Sequence, residues 1–172
     1  AFTGAMDYWA NVDAVRWFAD AVWPKIRTVL PNAAFYVVGG NPTADVKELA
    51  KVAGVVVTGR VPDVRPYIAR ADAVVAPLRI ARGVQNKVLE GMAMARPVVT
   101  TSQGLEGIDA EPGCDLVLAD GEDAFAEAVL AVLMGEDRAL SAEVLGANAR
   151  RRLTEHYSWA ASLAVLDELL TN

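Results

Sequence analysis

The chain has 172 residues, with 16 basic against 22 acidic side chains for a net charge of -6, 53% hydrophobic residues, one Cys and one His. That length and apolar content suit one ordinary domain with its own core and exclude a disordered chain; one Cys excludes a disulfide framework, and one His excludes a multi-His metal site. The acidic balance disfavours nonspecific binding to nucleic acid or anionic lipid, which needs a positive field, and no apolar run approaches the roughly 20 residues that span a bilayer.

In chain order, the opening is not a basic leader followed by an apolar stretch. It starts without Met and enters strand-like sequence at Phe2-Thr3, which reads as a cut at a domain boundary with an N-terminal part missing. A helix is expected over 12–30, where Val15, Phe18, Ala19, Val22 and Ile26 recur at helical spacing and Asn11 is the N-cap. The run 34–39 is a strand ending in glycines. Thr43 caps a helix over 44–52, and 54–59 is a further strand. Asp63 caps a short helix ending near Arg70, before a strand at 73–77. A helix follows over 84–95, with Val88, Leu89, Met92 and Ala95 on its apolar side, then a strand at 97–101 and another at 115–119. Asp120 caps a helix from Glu122 to Met134, ended by Gly135. Two more helices are expected, over 138–157 and 159–170, the second capped by Ser158.

None of the apolar runs alternates polar and apolar residues, as befits strands buried on both faces. Strand and helix in repeated succession predict an α/β fold: one Rossmann-like domain over 1–172, a doubly wound parallel sheet with a helical C-terminal tail. In such a sheet, ligands bind beyond the C-terminal strand ends, at the switch in strand order. Five of those exits carry glycine: Gly4, Gly39-Gly40, Gly59, Gly83 and Gly104. No loop reads G-x-G-x-x-G or G-x-x-x-x-G-K-[ST], which disfavours a dinucleotide dehydrogenase and a P-loop NTPase.

The exit at 78–83 is the most charged. Arg79, Arg82 and Lys87 place three cations beside Gly83, which opens the next helix. A helix N-terminus offers unpaired N–H groups to a diphosphate. Glu90 lies seven residues past Gly83, nearly the same face about 10 Å further along, where a carboxylate can accept both ribose hydroxyls. The competing reading is an i,i+3 ion pair between Lys87 and Glu90 on a solvated face.

The stretch Gly83-Val84-Gln85-Asn86-Lys87-Val88-Leu89-Glu90-Gly91-Met92-Ala93-Met94-Ala95-Arg96-Pro97-Val98-Val99 resembles the signature of group 1 glycosyltransferases, the retaining family 4 of the GT-B fold. Phe2-Thr3-Gly4 with Asn11-Val12-Asp13, Thr58-Gly59-Arg60-Val61 with Asp63, Ala71-Asp72 before Pro77, and Tyr157-Ser158-Trp159 follow in the family's order. The resemblance implies the C-terminal, donor-binding half of a two-domain enzyme that transfers a sugar from a nucleotide diphosphate to a polysaccharide or glycolipid acceptor. It implies that Glu90 binds ribose; from their charge, Lys87 and Arg82 are expected to neutralise diphosphate, and these three residues are expected to carry the chemistry. It implies that the main chain of Val61, after Gly59-Arg60, meets the base, and that Gly83 with Val84, Gln85 and Asn86 meets the diphosphate and sugar; the strand exits add Gly4, Arg79, Gly104 and Leu105 as expected donor-lining residues.

The nucleotide sugar is then a substrate, and no cofactor or metal is implied. The partners are that donor and the chain's own N-terminal acceptor domain, with no nucleic acid, and any membrane contact is made through the missing domain. A cytoplasmic location is expected, with the inner face of the membrane as one place within it. The fragment alone is expected to be inactive. Two departures stand out. Arg82 occupies the position, eight before Glu90, where the family usually has a second Glu. The loop after the first strand offers Asp7 and Asn11 where the family often has Arg and Lys. Alternatives are a nucleotide-sugar 2-epimerase, which the lone His156 ill suits, and a catalytically silent nucleotide-sugar-binding module.

Other residues have plainer readings. His156 reads as a helix-end residue, Cys114 as a bystander and Arg150-Arg151-Arg152 as a solvated face. Trp17, Trp23 and Trp159 read as core or interface anchors, and Trp9 alone is placed where it could line the cleft.

Overall fold

The computed structural model describes residues 1–135 and 141–157. The expected helix over 159–170, its Ser158 cap, Trp159 and the start of the preceding helix at Arg138 lie outside the described residues.

Among the described residues, six short parallel strands are β1 Phe2–Thr3, β2 Phe35–Val38, β3 Val55–Gly59, β4 Val74–Ala76, β5 Val98–Thr100 and β6 Val117–Leu118. They form ladders β1-β2-β3 and β4-β5-β6. The ladders meet where the Val75 N–H donates to the Ala1 carbonyl at 2.9 Å, so the strand order reads 3-2-1-4-5-6. The order reverses between β1 and β4, which makes that crevice the switch point of the sheet.

The strand side chains divide by parity. Val75 and Val99 face one core with Phe2, Phe18, Trp23, Phe35, Val46 and Phe125. Val74, Ala76 and Val98 face the other with Ile68, Val88, Met92 and Ala149. Helices therefore cover both faces. On the first lie α1 Trp9–Trp17, α2 Trp23–Val29, α3 Ala44–Glu48 and α7 Glu122–Met134. On the second lie α4 Arg65–Arg70, α5 Asn86–Ala93 and α8 Ala142–His156. The short α6 Ser102–Leu105 follows β5.

The predicted helix over 12–30 is a compound element. It begins at Trp9 with Tyr8 as N-cap, and a π turn over Phe18–Val22 joins α1 to α2. Pro24 has no N–H for the preceding turn, which explains the widening. Asn11 is therefore not the cap. It is buried, and its Nδ2 donates to the Ala5 carbonyl at 2.9 Å, bracing the loop after β1. Thr43 does cap α3, accepting from the Val46 N–H at 3.4 Å, but the helix tightens to a 3-10 turn at Leu49–Lys51. Asp63 accepts from the Arg65 N–H at 3.0 Å, ahead of α4. Asp120 does not cap α7: Gly121 holds that position, and Asp120 instead accepts from the backbone N–H of Ser102 at 3.0 Å and its hydroxyl at 2.5 Å. Gly135 ends α7 in the left-handed conformation, as expected.

Candidate functional site

A cleft of about 600 Å³ opens over the C-terminal ends of β1, β2 and β3 and the start of α5. Its walls come from Thr3, Gly4 and Tyr8 after β1, Gly40 and Asn41 after β2, Arg60 and Val61 after β3, and Arg82, Val84, Gln85, Asn86, Lys87 and Glu90 after β4. The loops come close because of a missing side chain: a Cβ on Gly39 would stand 1.7 Å from the Gly4 carbonyl oxygen. Only glycine there lets the exits of β1 and β2 lie side by side.

The helix beyond β4 starts later than its apolar pattern suggests. Gln85 is the extended N-cap and Asn86 the first helical residue. Gly83, with φ of 69°, lies in the loop rather than at the helix tip, and the Gln85 Nε2 turns back to the Gly83 carbonyl at 2.9 Å. The first backbone N–H of this turn with a carbonyl partner is that of Val88, on the Gln85 oxygen at 3.0 Å. The anion-accepting end is thus formed by Asn86 and Lys87. From Asn86 to Glu90 is four residues, so the carboxylate lies about 6 Å further along the same face, not the 10 Å expected from Gly83.

Lys87 and Glu90 form no ion pair among the described residues, which sets aside the solvated-face reading. Lys87 is 9% exposed. Its Nζ donates to Gln85 Oε1 at 3.2 Å and sits 5.3 Å from the centre of the Phe2 ring. Burial pulls its pKa below the usual lysine value, and the nearby negative charge of Glu90 opposes that shift only in part. Such an ammonium, half-stripped of water and short of anionic partners, has much to gain from a phosphate. Glu90 is exposed, with one oxygen anchored: the Thr3 hydroxyl donates to Oε2 at 3.2 Å. Thr3 itself is 3% exposed.

Most of the sequence-derived residues converge here: Gly4, Arg60, Val61, Arg82, Val84, Gln85, Asn86, Lys87 and Glu90 all line the cleft, with Gly59 and Gly83 flanking it in sequence. Three do not. Arg79 points into a separate groove with Trp9 and Trp17, where its Nε donates to Asp13 Oδ2 at 3.0 Å and its guanidinium lies 5.8 Å from the Trp17 ring. Gly104 is buried, as a Cβ there would stand 2.2 Å from Thr100 Oγ1, and Leu105 packs into the core under α5. Thr101 caps α6, and this short helix draws both residues inward. Trp9, half exposed, belongs to the Arg79 groove rather than the cleft. His156 pairs with Asp109 at 2.8 Å on α8. Of the three arginines before it, Arg150 and Arg151 are exposed, and Arg152 Nε donates to the buried Asp115 at 2.8 Å.

The sequence reading missed Thr3 as a partner of Glu90. The two are 87 positions apart, and no spacing rule joins them. It also missed Tyr8 and Asn41 on the cleft wall.

The sequence model of the family described as "Glycosyl transferases group 1" matches residues 1–134. No curated protein matches the chain by sequence. Among solved structures, HepE from Anabaena, crystallised with UDP and glucose, superposes with a TM-score of 0.75 at 16% identity, over 99% of this chain and 47% of that one. Sucrose-phosphate synthase from Thermosynechococcus elongatus gives 0.71 at 20% identity, over 99% and 44%. The C-terminal domain of the group 1 glycosyltransferase LpcC from Francisella tularensis gives 0.71 at 16% identity, over 92% and 85%. The chain thus spans about half the length of the first two structures and most of an isolated C-terminal domain. With the family model covering more than three quarters of its residues and its sheet folded as the C-terminal half of a GT-B enzyme, this chain belongs to the group 1 glycosyltransferases.

Proposed function

We propose that the chain binds the nucleotide diphosphate sugar of a retaining glycosyltransferase, with the acceptor held by a separate N-terminal domain. One observation carries this reading: a partly desolvated Lys87, the unpaired N–H groups opening α5 and the anchored carboxylate of Glu90 face a single cleft at the switch point of the sheet. The spacing suits a nucleoside diphosphate. Pyrophosphate would meet Lys87, Arg82 and the helix end; the ribose hydroxyls would donate to Glu90; the base would lie against Arg60 and the main chain of Val61. That HepE was crystallised with UDP-glucose supports a donor of this class.

In the transfer itself, the glycosidic C–O bond breaks and its electron pair leaves with the nucleotide diphosphate. Negative charge grows on the departing oxygen. Lys87, Arg82 and the α5 N–H groups are in place before that charge develops, so they stabilise the transition state more than the ground state. A lone pair of the acceptor oxygen forms the new C–O bond to the anomeric carbon, and its proton passes to a group outside this domain, which supplies no nucleophile of its own in the proposed step. A 2-epimerase would need acid–base groups at the sugar, and His156, paired with Asp109 on α8, is not among the cleft residues.

Calorimetry of the chain with UDP, GDP and ADP tests this reading. We expect one of them to bind, and Glu90→Ala to weaken it. Nucleotide density elsewhere in a soaked crystal, with this cleft empty, would overturn the reading. Donor hydrolysis by the intact protein separates a transferase from a silent binding module, in which Arg82 replaces a sugar-contacting carboxylate.

A further inference from the structure

Among the described residues, Glu90 is the one carboxylate lining the cleft, and its position depends on a residue 87 positions away in the sequence. We propose that Thr3 is a positioning residue for Glu90 and thereby sets the chain's preference for ribonucleotides over deoxyribonucleotides. The inference rests on the reading of Glu90 as the ribose-binding group.

Thr3 is the last residue of β1, paired in register with Val38 of β2, and is itself 3% exposed. Its backbone is held by the sheet, and its β-branched side chain has few rotamers there. Glu90, by contrast, is exposed on α5 and makes no other side-chain hydrogen bond among the described residues. A free Glu side chain samples many rotamers, and freezing it on binding has an entropic cost. The hydroxyl of Thr3 donates to Oε2 at 3.2 Å and occupies one of about four lone-pair sites of the carboxylate. The remaining sites stay available to two vicinal hydroxyls. Thr3 thus fixes the acceptor without using it up. A 2′-deoxy sugar presents one hydroxyl fewer and gains less from a carboxylate held in this way.

The experiment measures affinities of the chain for UDP and 2′-deoxy-UDP, with the GDP and ADP pairs run in parallel. Thr3→Val keeps the shape and strand preference of the residue and removes only the hydroxyl. We expect it to weaken the preferred ribonucleotide roughly tenfold, or about 1.4 kcal/mol, while the 2′-deoxy partner changes by less than about twofold. Thr3→Ser restores the ratio. Equal weakening of both members of the pair would mark Thr3 as structural only and overturn the proposal, as would no change in either. Glu90→Ala separates the two layers of the argument. If it weakens the ribonucleotide and Thr3→Val does not, the positioning role alone falls. If it leaves the ribonucleotide as tightly bound as in the parent, or if no nucleotide binds the parent, the ribose reading falls and takes the proposal with it.

Discussion

Replacing Lys87 with Met should weaken nucleotide diphosphate binding while leaving the free protein as stable as before, or more so. The two effects come from one fact of structure: Lys87 is 9% exposed, lies over the Phe2 ring and, among the described residues, has only the uncharged Gln85 amide oxygen as a hydrogen-bond partner. A contact between the ammonium and a phosphate lies near the upper end of about 1.5–3 kcal/mol, and the ammonium's bond to the uncharged Gln85 oxygen that it displaces lies near the lower end. The difference, about 1–1.5 kcal/mol, corresponds to a roughly five- to twelvefold rise in Kd. Met keeps an unbranched stem of similar length against Phe2 and removes the burial cost of a charge. Calorimetry with the best-bound nucleoside diphosphate reads the first effect, and thermal unfolding of the free chain reads the second. An unchanged Kd would refute the assignment of Lys87 to the diphosphate. A Tm lower by more than about 4 °C, which is at least 1 kcal/mol for a chain of this size, would refute the claim that its charge is a liability in the empty cleft. The pH dependence has a definite sign. The folded-state pKa lies below the ordinary lysine value because of burial, so the unfolded chain binds more protons between the folded pKa and the ordinary value. Stability from this group therefore rises with pH through that window. Nucleotide affinity falls over the same window as the ammonium is lost, and Lys87→Met abolishes both trends.

Gly39→Ala should be severe, because its Cβ would enter the Gly4 carbonyl at 1.7 Å; a loss of about 1–3 kcal/mol in denaturant unfolding is expected, together with loss of nucleotide binding as the cleft wall is displaced. Gly146→Ala forces α8 off α5, since its Cβ would lie 2.1 Å from the Ala95 carbonyl, and a comparable loss in the same assay is expected. At the other side of that contact, Ala95 holds a φ of 52°, so Ala95→Gly should keep or raise stability by up to about 1 kcal/mol; a clear loss would show that the Ala95 methyl packs more strongly than its backbone is strained. Arg152→Leu removes the guanidinium from the buried Asp115 and leaves it the Glu111 N–H, and should cost about 1–3 kcal/mol in the same assay.

Amino-acid order alone determined the architecture and pointed to the candidate cleft. Unbroken apolar runs such as 34–38 and 73–76 can satisfy their surfaces only between two helical layers, and their alternation with amphipathic stretches leaves a parallel doubly wound sheet as the outcome. The same local chemistry marked Lys87 and Glu90, because a cationic glycine loop entering a helix is legible over a dozen residues. Tertiary structure alone decided which cations face the cleft. Arg79 and Lys87 look equivalent on the page, yet Asp13, 66 positions away, draws Arg79 into another groove. Helix α5 starts at Asn86 rather than Val84, because Gly83 and Gln85 close their own turn. Thr3 meets Glu90 because parallel pairing brings the exit of β1 beside the helix that follows β4. Periodicity reports the face a residue presents, but which distant residue lies opposite it depends on strand order, and strand order arises when the whole chain packs at once.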